Sequence, residues 1–414
     1  MVKFSALRKY SRYIFLVKST VKESYSMRET GNYVVCRTAG ESFKAFIPCA
    51  LPPVPPLRLT DVDYLLLEQA NRALGKLDGL SVILPDMDLF TYIYIRKEAV
   101  LSSQIEGTQS SLSQLLLFES SYYPGVPLDD VTEVSNYVAA LNHGIQRIAE
   151  GFPISLRFIR EVHGMLLASG RGSDRAPGEF RKSQNWIGGT RPGNARYVPP
   201  PPEHVVECMG ALELFLHQRA ETMPLLIQLA LIHAQFETIH PFLDGNGRIG
   251  RLLITLIMLA QHALAQPVLY LSLYFKQHRQ EYYSLLQETR LQGNWEEWTR
   301  FFLAGVKSVA DQACATATHC LDLFKRDEAL IAEKLAQSAL SALRVLSALK
   351  RRPICSIPAL VKSTELTHPT VAKAIRGLEE LNIVVEITAK KRDRVYCYQR
   401  YFDRLNEGIE AAPE

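Results

Sequence analysis

The sequence predicts a mainly α protein, with a helical body, one small β-hairpin and a basic C-terminal unit of three helices and two strands. Three observations carry this. Apolar residues recur at helical spacing through most of the chain from Asp61 to about residue 335. One loop-rich interval, GRGSDRAPGEFRKSQNWIGGTRPGNARYVPPPP (170–202), interrupts them. Residues 344–400 then hold 12 Lys/Arg against 5 Asp/Glu, a surplus of +7 in a chain whose net charge is +4.

A chain of 414 residues has room for two to three domains and a large core. Its 47% hydrophobic and 22% charged residues are those of an ordinary globular protein. Seven cysteines without CxxC spacing argue against a disulfide framework or a zinc site and fit a reducing cytoplasm. In the basic start, MVKFSALRKYSRYIFLVKS, the apolar YIFLV is too short for a signal-peptide core, and Met27 is a second plausible start. The apolar run after Arg251 is too short to cross a bilayer, so no membrane span is expected. The basic surplus points to a polyanion partner for the C-terminal unit alone.

Taken in order, residues 28–58 read as short strands and turns running into the extended spacer IPCALPPVPPLRL. Helical spacing begins with DVDYLLLEQANRALGKL, with Asp61 placed to cap the first turn. Pro85 and Asp86 open a second segment that stops at Gly107. Further helices are expected over about 110–118, 130–150 and 155–168. In the loop interval, EFRKSQNWI and ARYVP form a hairpin around GGTRPGN. Helices then resume and dominate to about 335.

Two of those helices, TMPLLIQLALIHAQFETI and LLITLIMLAQHAL, are parted by HPFLDGNGRIGR (240–251), which has chemistry no core turn needs. Glycines on either side of Asn246 let backbone approach a ligand, and helix N-terminal N–H groups attract anions. Asn246 adds an amide donor, while Arg248 and Arg251 share a helix face and can reach one polyphosphate. Asp244 can hold Mg²⁺ between phosphate oxygens, and His240 is a candidate general base. The parts suit transfer of a phosphate-containing group to a hydroxyl. The plain alternative is a glycine-rich turn with incidental charges; GxxxxGK[ST] is absent, so the string is not a P-loop.

HPFLDGNGRIGR is similar to the Fic motif, HxFx(D/E)GNGRxxR, and satisfies every specified position. AFIPCALPPVPPL resembles the Fic N-terminal region, and GEFRKSQNWIGG with ARYVPPPP resembles the flap over a Fic active site. The resemblance covers most of residues 28–305. It implies an N-terminal Fic-associated region over 1–125, with an inhibitory helix ending near 107, and a Fic catalytic core over 126–305. A helical connector over 306–337 then leads to a winged helix-turn-helix domain over 338–404. It further implies that His240 deprotonates a Ser, Thr or Tyr hydroxyl of a target protein, which attacks the α-phosphorus of ATP and takes AMP. Asp244 would ligate Mg²⁺; Gly245, Asn246 and Gly247 would cradle the α/β-phosphates. Arg248 would bind the distal phosphates and Arg251 the γ-phosphate. The acidic Asp244 and Gly247 favour AMP transfer over the related subfamily that has Lys where Gly247 stands and acts as a kinase. Phe242 would anchor the loop in the core.

SSQIEG (102–107) resembles the inhibitory motif (S/T)xxxE(G/N), met by Ser102, Glu106 and Gly107. A Glu106 carboxylate paired with Arg251 would deny the γ-phosphate its partner. The same Glu106 could orient a water for removal of AMP, so de-AMPylation, or another nucleotide donor, stands as an alternative. Tyr283, beside Tyr282, resembles the position lining the nucleotide base, against an ordinary packing role. Trp295 and Trp298 read as core, and His233 as a supporting histidine. In the flap, Lys182, Ser183, Gln184, Asn185, Trp186 and Ile187 would register a target by strand pairing.

The C-terminal unit resembles a winged helix-turn-helix domain, its third helix capped by Thr367 with Pro369 in the first turn. As a DNA reader it would use Thr370, Lys373 and Arg376 in the groove and Lys390, Lys391 and Arg392 on the wing. As a dimerisation or docking module it would leave a solvated basic face. The leading expectation is a protein adenylyltransferase restrained by Glu106, self-modification included. The competing class is a DNA-binding or interaction regulator with a vestigial core, against which the intact string from His240 to Arg251 speaks.

Overall fold

The computed structural model describes residues 28–38, 40–83, 87–119, 128–218, 223–389 and 394–407. Met1 to Met27 and the expected wing residues Lys390, Lys391 and Arg392 lie outside the described residues. The protein is 65% helix with small antiparallel sheets, as its apolar periodicity predicts.

The chain begins with an antiparallel ribbon, β1 (Gly31–Thr38) and β2 (Glu41–Pro48), in which Gly31 stands opposite Pro48. The proline spacer leads to α1 (Asp61–Ile83), whose cap is not the expected Asp61. Thr60 precedes the helix, and Asp63 Oδ2 accepts its N–H and its hydroxyl, each at 2.7 Å. A carboxylate in the first turn reaches back where one placed at the helix start cannot. Then follow α2 (Met87–Ile105), α3 (Leu112–Glu119), α4 (Leu128–Ala149) and α5 (Leu156–Leu166).

The expected hairpin narrows to one antiparallel bridge, Ile187 with Tyr197, closed by hydrogen bonds of 2.8 and 3.1 Å. Turn chemistry consumes the rest: Asn194 Oδ1 accepts the N–H groups of Thr190 and Arg191, each at 3.0 Å. The β1–β2 ribbon is the regular hairpin of this end. It backs the flap through Phe46 N–H donated to Val198 O at 3.0 Å.

Beyond the flap come α6 (Pro202–His217), α7 (Leu225–Ile239), α8 (Asn246–Ala260), α9 (Ser272–Gln277) and α10 (Arg279–Gln292). Every residue of α7 from Leu226 to Ile239 is buried, the signature of a central helix. It packs against α6, α8, α10 and α11 (Trp295–Lys334), while α2 lies against α4, α8 and α9. The 40-residue α11 runs straight through the expected boundary at residue 305.

The C-terminal unit comprises α12 (Ala339–Arg351), β3 (Ile354–Ser356), α13 (Ile357–Thr364), α14 (His368–Glu380), β4 (Val385–Glu386), β5 (Val395–Cys397) and α15 (Gln399–Asn406). Its strands form an antiparallel sheet in the order β3-β5-β4. Thr367 occupies the position before α14, but its hydroxyl pairs with Thr370 Oγ1 at 2.8 Å instead of capping the helix. The unit is seated on the body: Tyr398 donates to Asp327 of α11 at 2.6 Å, and Lys97 of α2 donates to Glu407 O at 3.1 Å. Among the described residues no helix is long and apolar enough to cross a membrane.

Candidate active site

Helix α7 ends because His240 turns left-handed, at φ 50° and ψ 59°, with its N–H donated to Phe236 O at 2.9 Å. Pro241 follows and cannot continue the helix. The flap holds this corner: Arg181 Nε and Asn185 Nδ2 donate to His240 O at 2.9 and 3.2 Å. Phe242 is the expected anchor, its buried ring stacked 3.7 Å from that of His163. His163 Nδ1 accepts Gly178 N–H at 2.9 Å, so its proton sits on Nε2 and is donated to Asp244 O at 3.0 Å. Burial, above all, lowers the His163 pKa to about 4 and keeps it neutral.

The start of α8 is built by Gly245, left-handed at φ 79°, and by Asn246. The Asn246 side chain is not free to meet a phosphate. Its Oδ1 accepts Phe242 N–H and its Nδ2 donates to Phe242 O, both at 2.8 Å. A buried Asn amide satisfies loop backbone first, leaving only its main-chain N–H for the cradle. Asp244 Oδ1 accepts Gly245 N–H at 2.6 Å and Arg248 Nη2 at 3.1 Å. Arg248 is buried and pairs at 2.7 Å with Glu133 of α4, which also accepts from Thr108 and Arg171.

Arg251 lies one turn further, buried, with three contacts to the end of α2. It meets Glu106 Oε1 at 2.7 Å, Ser102 Oγ at 2.9 Å and Ser102 O at 3.0 Å. Gly107, at φ 97°, turns the chain away just after the carboxylate. Gly247 makes room for it, since a Cβ there would come within 2.3 Å of Glu106 Oε1. Burial raises the Glu106 pKa, but the Arg251 charge outweighs it and holds the group below its ordinary value. Ser102, Glu106, Gly107, Gly247 and Arg251 therefore converge on one spot, though 106 and 251 are far apart in sequence.

The imidazole of His240 has a pKa of about 3, lowered first by burial and then by Arg290 and Arg181. It is a neutral base at physiological pH. Tyr283 is half-buried and lines an open cavity of about 780 Å³ with Arg196, Arg279 and Glu288. That volume lies in the range of small-ligand sites. Tyr282 is core, with its hydroxyl 2.9 Å from Nε2 of buried His233. In the flap, Lys182, Ser183 and Trp186 are exposed. Gln184 and Asn185 instead spend their amides on the main-chain oxygens of Asn185, Pro199, His240 and Phe242. They anchor the loop, Asn185 sharing the His240 and Phe242 carbonyls with Arg181 and Asn246.

Sequence reasoning missed Glu133, His163, Arg181, Glu237 and Arg290, which come from five different segments. Glu237 alone carried a local signal, three residues before His240 on the same helix.

A neutral histidine at one helix end, and a glycine-rich, arginine-bearing start of the next, can hold a polyphosphate beside a base. Residues 64–146 match the family model described as Fic/DOC family N-terminal, and residues 153–258 that described as Fic/DOC family. The chain thus carries a Fic/DOC family N-terminal region and a Fic/DOC family domain. It is 30% identical over 240 residues to Protein adenylyltransferase Fic of Aedes aegypti, which covers 57% of this chain and 44% of that one. Protein adenylyltransferase Fic of Culex quinquefasciatus is 28% identical over 270 residues, covering 63% and 50%. The chain thus spans about half the length of these curated relatives. In fold it is similar to a Fic family protein from Desulfovibrio desulfuricans G20, with a TM-score of 0.54 and 18% identity over 83% of this chain and 97% of that one. It is likewise similar to Fic-1 of C. elegans, with a TM-score of 0.50 and 22% identity over 62% and 73%.

Proposed function

We propose that the protein is a protein adenylyltransferase that moves AMP from ATP to a Ser, Thr or Tyr hydroxyl of a target protein, itself included, and that Glu106 restrains it. The observation that carries this is the ion pair of 2.7 Å between Glu106 and Arg251, the last residue of an intact phosphate cradle. Neutral His240 takes the hydroxyl proton; the oxygen bonds to the α-phosphorus as the bond to the β-phosphate oxygen breaks, and pyrophosphate leaves. The N–H groups of Asn246 and Gly247 at the helix start would meet the α/β-phosphates, joined by that of Gly245 once Asp244 Oδ1 releases it, with Arg248 and Arg251 further along. Asp244 would hold Mg²⁺, which neutralises phosphate charge when bound. One carboxylate suits that ion, which keeps waters and phosphate oxygens as its other ligands. Tyr283 and its cavity would take the base, and exposed Lys182, Ser183 and Trp186 the target.

Glu106 blocks the reaction by occupying Arg251, so the γ-phosphate has no partner. The same carboxylate, freed, could activate water on a modified target, which makes AMP removal the second reading. The exposed Lys373 and Arg376 of α14 support a duplex DNA partner for the C-terminal unit. The seven unpaired cysteines fit a reducing cytoplasm.

Labelled-ATP incorporation by wild type, Glu106→Gly and His240→Ala, with intact mass read for added AMP, tests the assignment. A charge-assisted contact freed for the γ-phosphate is worth roughly 1.5–3 kcal/mol, so Glu106→Gly should raise incorporation by about one to two orders of magnitude. His240→Ala in that background should abolish it. Equal labelling of wild type and Glu106→Gly means there is no brake at this pair.

A further inference from the structure

Glu237 is a carboxyl group without a stated purpose in a costly place. It is buried in α7, and its Oε1 has no hydrogen-bond partner. An orphaned buried carboxyl oxygen forfeits hydration without compensation. The packing nonetheless reserves space for it: a Cβ at Gly250 of α8 would stand 2.6 Å from Oε1. The other oxygen, Oε2, lies 3.9 Å from His240 Nδ1, which is itself buried and without a partner. The unpartnered Nδ1, a donor in the right tautomer, thus faces the acceptor Oε2 across about one helical turn, while Oε1 on the other side of the carboxyl stays without a partner.

The surroundings set what this pair can do. Arg251 of α8 and Glu106 at the end of α2 act on Glu237 in opposite senses, and Arg290 of α10 donates to the Glu237 main-chain oxygen at 3.2 Å. Arg181 of the flap adds positive charge beside His240, and Tyr282 and Tyr283 border the carboxyl. His233, one turn back on α7, is neutral, its pKa lowered to about 3 by burial. Burial and the cations Arg290 and Arg181 thus oppose protonation of His240, while Glu106 and the Glu237 main-chain carbonyl favour it; on balance it is a weak base. A base becomes effective when the positive charge it acquires is met by a fixed acceptor on its far nitrogen.

We propose that Glu237 is the positioning residue of His240: its carboxylate takes the Nδ1–H, fixes the tautomer that leaves Nε2 open, and offsets the imidazolium formed when the target hydroxyl gives up its proton. This rests on the adenylyl-transfer reading above. The hydroxyl proton passes to Nε2, the Nδ1 proton stays on nitrogen, and Glu237 gains none. Closing 3.9 Å to hydrogen-bond distance needs only a small side-chain rotation, and such contacts tighten when substrate binds. Burial pushes the Glu237 pKa up to about 7, Arg251 pulling it down and Glu106 pushing it further up. The ionised fraction, and with it the rate, therefore rises with pH through about 7. Displacing Glu106 from Arg251 favours the carboxylate, so the brake also weakens the base.

The test uses full-length protein in the Glu106→Gly background. Glu237→Gln, which keeps volume but cannot ionise, should lower kcat about 100-fold with KM for ATP little changed. The rise of kcat with pH, which loss of the Glu106 charge moves below 7 in this background, should disappear, and Glu237→Asp should restore part of it. In ¹⁵N-histidine NMR the parent should show His240 protonated at Nδ1, and Glu237→Gln should lower its pKa further. A Glu237→Gln kcat within twofold of the parent, with the same pH profile and tautomer, overturns the inference. If Glu106→Gly incorporates no label at all, the adenylyltransferase reading falls, and the NMR tautomer still decides the role of Glu237.

Discussion

Asn246 shows how one side chain can serve a site without touching its ligand. Its amide closes both polar groups of Phe242, and so fixes the turn that presents His240 and the cradle. Asn246→Ala strands the Phe242 N–H, while Asn185 still donates to Phe242 O at 2.9 Å. The variant should lose about 2 kcal/mol in urea unfolding and bind ATP more weakly. A loss below about 0.5 kcal/mol would show that water takes over the amide's role. In the sequence, the side-chain amide of this residue looked available to phosphate. Which atoms a buried amide spends on its own loop depends on how the chain folds back. The same limit hid Glu133, Arg181 and Arg290, each delivered by a distant segment that carries no motif. Ser102, Glu106 and Arg251 were legible only because a resemblance joined two stretches that spacing alone could not.

Helices were the legible elements, because an apolar stripe of period 3.6 is written into each segment, and Gly107 and Pro241 mark true ends. Caps and strands were less so. The cap of α1 was misplaced because Asp63, within the first turn, reaches back to Thr60, and the flap was overdrawn because Asn194 rather than a partner strand satisfies its turn. On α14, burial of Val371, Ala374, Ile375 and Leu378 leaves Lys373 and Arg376 on the outer face, at the spacing of one helical turn. If that face reads duplex DNA, a gel shift at low salt will show binding at micromolar protein, and affinity will fall steeply with salt. Replacing both residues by Ala should reduce the slope of log K against log salt by about 2. No shift at that concentration leaves the unit as a docking or dimerisation module.

At the scale of the whole molecule, the chain is less divided than its charge distribution suggests. One hydrophobic cluster runs from Leu51 to Leu405, and α11, about 60 Å long at 1.5 Å per residue, belongs to both ends. Its first half packs Trp298 and Phe302 into the body; its second half carries Phe324, whose ring lies 4.9 Å from Tyr401 of α15. The C-terminal unit also touches α2, the helix that ends in Ser102 and Glu106, through Lys97 and through the packing of α12. Shared core on this scale makes a single cooperative transition the expected outcome, where a loosely tethered unit would melt separately. The three tryptophans, Trp186, Trp295 and Trp298, all lie before residue 300 and report on the body alone, whereas far-ultraviolet circular dichroism sums every helix. Urea unfolding followed by both signals should give coincident curves. A dichroism transition that leaves tryptophan emission unchanged would instead place a boundary inside α11. It would then detach the basic unit from the helix that carries Glu106.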